Sequence, residues 1–222
     1  MGLNYSALIY RDSQMAEPKP VRKKHTNSTS QPCLYTLHIE LRPNEIRPPI
    51  WRRLEVDGRI SLAKLHHFIQ AAFGWSDYHL HQFKIRDKLY ALPDPGDELD
   101  MLDERKAYLN RLLATGDSML YRYDLGDNWE HLVTVEEIRN DLDNDPKGGA
   151  WVLDGARSGP PEDVGGPEGY ADFLEVLQEE PNSEEAAHLL EWADGDFDPE
   201  RFDRRLANAA IMRILFNRWG GK

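Results

Sequence analysis

A single cysteine, Cys33, stands in 222 residues. That excludes an internal disulfide and any zinc cluster built on thiolates. No apolar run approaches the roughly eighteen residues that a membrane-spanning helix requires. The opening residues, MGLNYSALIYRDSQ, lack the charged segment that begins an export signal, so cytoplasm is the expected compartment and no membrane partner is expected. Positive charge is scarce: 27 Lys and Arg face 39 Asp and Glu, for a formal net charge of −12. The start is the exception in sign: there Arg11, Lys19, Arg22, Lys23 and Lys24 outnumber Asp12 and Glu17. The remainder is therefore more acidic than the chain as a whole. Such a body repels a phosphate backbone at long range, which argues against duplex DNA as its partner. Signature motifs are missing too. There is no HExxH, no GK[ST] phosphate loop, and no strand-led dinucleotide glycine pattern.

What is present predicts an α+β fold: an antiparallel, hairpin-rich sheet with one packed helix, followed by a C-terminal helical part. Residues 1–33, rich in Pro, Ser, Thr and Lys, read as a disordered basic arm. A sheet core is expected over 34–140, and residues 141–222 as a Gly/Pro-rich loop and helices packed on the same domain. Leu37, Ile39 and Leu41 alternate with polar neighbours, which is strand periodicity. IWRRLEV and HLHQFKI read the same way. SLAKLHHFIQAAFGW reads as a helix capped by Ser61 and closed at Gly74. YADFLEVLQEE, SEEAAHLLEWA and PERFDRRLANAAIMRILFNRW follow as helices, the last with Asp198 as its N-cap and Pro199 in its first turn.

The stretch YRYDLGDNWEHLV (121–133) predicts a hairpin. Tyr121, Tyr123 and Leu125 share one strand face; Trp129, His131 and Val133 share the other strand's. A three-residue loop, Gly126–Asp127–Asn128, brings those faces together by pairing Leu125 with Trp129 and Tyr123 with His131. In that register Asp124 faces Glu130, and two like charges need an offsetting cation: Arg122, Arg52, Arg53 or a bound ion. The pair is also the candidate for carboxylate catalysis, with one acid held protonated. Gly126 is expected to need a backbone conformation that a Cβ resists.

The phrases PPIWRRLEV, LHHFIQAAFGW, HLHQFKI, YRYDLGDNWEH, PPEDVGGPEGY and FDPERFD stand in order over about residues 34–210. Together they resemble the plasmid ORF-three-like family, named from an open reading frame on a root-inducing plasmid and also labelled an insertion-element passenger, TnpR-like. The resemblance implies an α+β protein of bacteria and archaea, often carried on mobile elements, with no assigned activity. Many such proteins hold cysteines where this chain has Val152 and Gly159, so a thiolate site in those relatives has no counterpart here. A resolvase would need a nucleophile backed by clustered basic residues, and no such cluster stands out.

Candidate site residues follow from type and position. His79, His81 and His131 on neighbouring strands are candidate ligands for a divalent metal, or else core-edge histidines with hydrogen-bond partners. Arg52, Arg53, Trp75, Tyr78, Asp124, Asp127, Glu162 and Asp163 are candidate binding residues; Asp127 could instead close its loop by an Asx-type hydrogen bond. No cofactor is expected beyond that metal ion. Two functions compete: a non-enzymatic binding module with a protein or peptide partner, and a metal-dependent or carboxylate-based hydrolase.

Overall fold

The computed structural model describes residues 33–42, 46–93, 101–140, 148–193 and 195–217. The expected basic arm, Cys33 apart, lies outside them.

The architecture is α+β. β1 (Leu34–Leu41) and β2 (Trp51–Asp57) lead to α1 (Leu62–Phe73). β3 (His81–Ile85), β4 (Lys88–Ala91) and β5 (Leu102–Asp103) follow, then a 3-10 turn (Glu104–Lys106) and α2 (Leu109–Leu112). β6 (Ser118–Tyr123), β7 (Trp129–Arg139) and β8 (Ala150–Ala156) complete the sheet. α3 (Gly166–Glu179), α4 (Glu184–Trp192) and α5 (Arg204–Asn217) end the described chain. The strand order is β5-β4-β3-β6-β7-β1-β2-β8. Neighbours are antiparallel except β4 and β5.

One sheet face is apolar and covered; the other is polar and wet, as antiparallel sheets allow. Leu37 and Ile39 from β1, Leu54 and Val56 from β2, and Val133 and Val135 from β7 are buried against α1. The outer face carries ion pairs instead, among them Arg53 with Glu136 at 2.7 Å and Arg139 with Glu55. α1 starts where Ser61 Oγ accepts the Lys64 N–H and ends where Gly74 turns left-handed at φ 86°.

β8 was not legible as a strand. Ala150, Trp151, Val152 and Leu153 put apolar groups on both faces, which blurs the alternation. It extends the sheet beyond residue 140 and forms an edge that α5 covers. The Asn208 side chain accepts from Val152 N–H and donates to Val152 C=O. An edge strand's free backbone groups are thereby satisfied locally.

Three expectations are corrected. α5 begins at Arg204, capped by Asp203, whose carboxylate accepts the Arg205 and Leu206 N–H groups. Asp198 holds a turn instead, accepting from Glu200 N–H. Ser158 explains the delay: its hydroxyl bonds the carbonyls of Asp198 and Arg201, and its N–H the carbonyl of Pro199. Those carbonyls are withheld from a helix.

The hairpin register is also shifted. Tyr123 pairs with Trp129, Tyr121 with His131 and Met119 with Val133. The loop therefore has five residues, Asp124 to Asn128, and Leu125 lies exposed in it. A two-residue shift keeps every side chain on its face, so the burial pattern could not separate the two registers. The deciding groups are Asp124 and Asn128, both left-handed (φ 52° and 57°). Asp124 Oδ1 also accepts the N–H groups of Gly126 and Asp127. Asp124 thus does not face Glu130; Arg122 does, and the two form an ion pair.

Gly126 is not in the left-handed region, and an added Cβ would meet only Asp124 Oδ1 at 3.2 Å. Gly166, where the 162–165 segment meets the hairpin loop, is constrained instead. It sits at φ 70°, where a Cβ would lie 2.6 Å from the Asp127 carbonyl oxygen. Gly166→Ala should therefore cost roughly 1–3 kcal/mol, while Gly126→Ala should stay within about 0.5 kcal/mol of the parent. Urea unfolding of both variants checks this, and equal midpoints would contradict it.

Candidate functional site

The loop after α1 organises the site. Trp75 is buried and stacks on Phe73 and Tyr123, with ring centroids 5.4 and 5.0 Å away. Its indole N–H donates to the Pro160 carbonyl at 2.8 Å. That bond holds the 158–163 segment beside the end of α1. Between them and the α4–α5 region lies a cleft of about 640 Å³. Tyr78, Trp192 and Leu206 line it and are exposed; Glu162, Asp163 and Asp203 add acidic groups. Arg201, which also lines it, has Asp196 for an ion-pair partner. Arg52 is a buried wall. Its guanidinium lies between the Phe73 and Phe202 rings and donates to the carbonyls of Trp51, Ala72 and Ala156. Burial lowers its pKa to about 9.

At one edge of the cleft the 162–163 segment meets the hairpin loop. Asp127 accepts the Gly165 N–H at 3.2 Å. His79 stands between them: Nδ1 is 3.6 Å from Asp124 Oδ2, and Nε2 is 3.0 Å from Asp163 Oδ1 and 4.0 Å from Glu162 Oε2. Glu162 is itself fixed by Ser76 N–H (2.8 Å) and by the Tyr123 hydroxyl (3.1 Å). The Tyr123 phenol is pushed well above its ordinary pKa, chiefly by burial and then by the Glu162 charge. It therefore stays a donor.

A second polar cluster lies inside the core. His66, on the buried side of α1, stacks face to face on His81 with centroids 3.4 Å apart. His66 Nε2 meets Asp77 at 2.7 Å, and Nδ1 meets the Tyr121 hydroxyl at 2.7 Å. Gln70 donates to that hydroxyl and accepts the Asp77 N–H. One proton arrangement satisfies all of them: Nε2–H donates to Asp77, and Tyr121 donates to an unprotonated Nδ1. Burial depresses the His66 pKa to about 4, with His81 and His67 acting in the same direction and Asp77 against it. The His66 and His67 bonds hold the Asp77 carboxyl well below its usual range against the opposing effect of burial. His81 meets the buried Glu104 at 2.9 Å.

The sequence candidates divide accordingly. His79, Asp124, Asp127, Glu162 and Asp163 come together, beside Trp75 and Tyr78. Arg53 and Glu130 sit on the outer sheet face, each in an ion pair. The three histidines do not converge. His81 turns to Glu104, and His131 is fully buried with Phe73, Trp75 and Tyr121 around it. Neither belongs to a three-residue ligand set among the described residues. His131 has no hydrogen-bond partner of good geometry on either ring nitrogen. Burial lowers its pKa to about 3, and the nearby Tyr121 and Trp129 backbones only partly oppose this. His66, Gln70, Asp77 and Glu104 were missed, as were Trp192 and Leu206. A signal for the first two existed: they are polar residues four apart on an otherwise apolar helix face.

A family model described as plasmid pRiA4b ORF-3-like protein matches residues 33–206. The uncharacterized protein y4hQ of Sinorhizobium fredii is 34% identical over 178 residues, covering 79% of this chain and 90% of that protein. The crystal structure of a protein of unknown function, MM3350 from Methanosarcina mazei Go1, superposes with a TM-score of 0.69 at 34% identity. It covers 79% of this chain and 98% of that one.

Proposed function

Since the chain belongs to the plasmid pRiA4b ORF-3-like family, whose relatives above carry no stated activity, we propose from its own geometry that it is a binding module. Its ligand is an apolar, positively charged peptide segment of a partner protein, seated in the cleft beside Trp75. The carrying observation is that Tyr78, Trp192 and Leu206, all exposed, surround one cleft that Glu162, Asp163 and Asp203 also line. Clustered exposed apolar groups rimmed by charge mark interaction surfaces. The net charge of −12 steers cations toward the protein. The cleft serine Ser158 donates its hydroxyl to backbone carbonyls, so it is engaged in structure. The family's plasmid-borne namesake supports a mobile-element setting.

The hydrolase alternative draws its support from His79 with Asp124 and Asp163; Glu130 is held apart by Arg122. A random peptide library tests the binding reading. Enrichment of sequences pairing Lys or Arg with aromatic or aliphatic residues is expected. The double variant Trp192→Ala, Leu206→Ala should weaken the best peptide by at least about tenfold, because tryptophan truncations dominate such interfaces. No enrichment, or equal binding by the variant, would reject this assignment of the cleft.

A further inference from the structure

We propose that His79, Asp124 and Asp163 bind a divalent transition ion of the zinc or manganese class, with Glu162 beside them. The site lies at the edge of the cleft but does not depend on the peptide reading.

The donor geometry comes first. An ion with bonds of about 2.0–2.2 Å places its ligand atoms roughly 3–4 Å from one another. His79 Nε2 is 3.0 Å from Asp163, and His79 Nδ1 is 3.6 Å from Asp124. Ligand atoms of His79, Asp124 and Asp163 all lie within 4.8 Å of one another.

A second observation is independent of the carboxylates. His79 Nε2 is enclosed yet makes no hydrogen bond, even to the oxygen 3.0 Å away. Nε2 thus faces the Asp163 and Glu162 carboxylates with its hydrogen-bonding capacity unused.

The supports are rigid. Glu162 is held by Ser76 N–H and the Tyr123 hydroxyl. The hairpin loop that carries Asp124 is tied to the 162–165 segment through Asp127 and Gly165. One imidazole with carboxylates and no thiolate suits zinc or manganese; calcium and magnesium prefer oxygen alone. The other ligand set, His66, His67 and Asp77, is a poorer host, because both His66 nitrogens are already bonded within the core.

The test is calorimetric titration of tag-free, chelator-treated protein with zinc and with manganese chloride, alongside thermal unfolding. One saturable site and a higher melting temperature are expected for the parent. His79→Ala and Asp163→Asn should each abolish both effects. Asp163 is largely exposed, so its variant serves should His79→Ala misfold. Asp124→Asn should weaken binding at least about tenfold, and His67→Ala should leave it unchanged. No saturable binding at millimolar ion, unchanged binding by Asp163→Asn, or loss of binding in His67→Ala would each overturn the assignment. The peptide experiment is read at Trp192 and Leu206 in chelator-treated protein, so the two readings fail separately.

Discussion

Trp129→Ala should lower the unfolding free energy by roughly 3–5 kcal/mol, the range for deleting a large buried aromatic side chain. Trp129 is 2% exposed and opens β7 directly opposite Tyr123. Its ring meets Trp75 at 6.2 Å and Tyr170 edge-on at 6.3 Å. It therefore joins the sheet, the loop after α1 and α3. The cost depends on whether neighbours can collapse into the space, and here they are anchored. Trp75 is held by Pro160, and Tyr123 by Glu162 and Tyr78. The cavity should stay open, which places the loss toward the upper end of the range. Trp129→Phe should lose less, since most of the ring volume survives. Urea unfolding should show a lower midpoint with an unchanged slope, and added indole should recover part of the loss. A midpoint close to the parent's would mean that Trp129 does not join these three elements.

Local features were legible in the sequence; long-range ones were not. β1, β2, β3 and α1 announce themselves because alternation, the Ser61 cap and the Gly74 stop are properties of neighbouring residues. The hairpin register was not, since Asp124 and Asn128 choose between two pairings that bury the same faces. β8 escaped because Trp151 and Leu153 add apolar groups to its outer face. The α5 start escaped because Ser158, 40 residues from Asp198, takes the carbonyls a helix would need. For the site, His79, Asp124, Glu162 and Asp163 were each nominated within their own segments. Their meeting depends on Asp127 capturing the Gly165 N–H, 38 residues away, and no local pattern encodes that contact. The stacked His66 and His81 pose the same problem: periodicity put His66 near the core, but only the sheet order brings β3 beneath it.

Acid should destabilise the protein well before its carboxylates titrate. His66 and His131 are both held neutral in the fold, with pKa values lowered by burial to about 4 and about 3. In the unfolded chain both titrate near 6.5. Because the folded values lie below the unfolded one, their stabilising contribution is complete above about pH 6.5. It is lost as pH falls from there toward the folded values. By pH 5 each histidine should have given up about 2 kcal/mol. The surroundings support this direction. Protonated His66 would turn Nδ1 into a donor against the Tyr121 hydroxyl, which already donates to it and accepts from Gln70. It would also place a charge against the His81 ring and beside His67; Asp77 offers partial compensation. Protonated His131 would sit among Phe73, Trp75 and Tyr121 with only the Tyr121 and Trp129 backbones to meet it, and Arg52 adds repulsion. One effect opposes the trend. Approaching the isoelectric point, about 5.1, relieves repulsion among surface acids. Those charges are screened at physiological salt, whereas the buried imidazoles are not, so the histidines should prevail. The melting temperature should be flat above pH 7 and fall steadily below 6.5, with proton uptake on unfolding approaching two. His131→Leu removes one of these groups and should reduce that uptake by about one proton. A melting temperature unchanged between pH 7 and 5, or an uptake the His131→Leu variant leaves intact, would show that the core does not hold these histidines neutral.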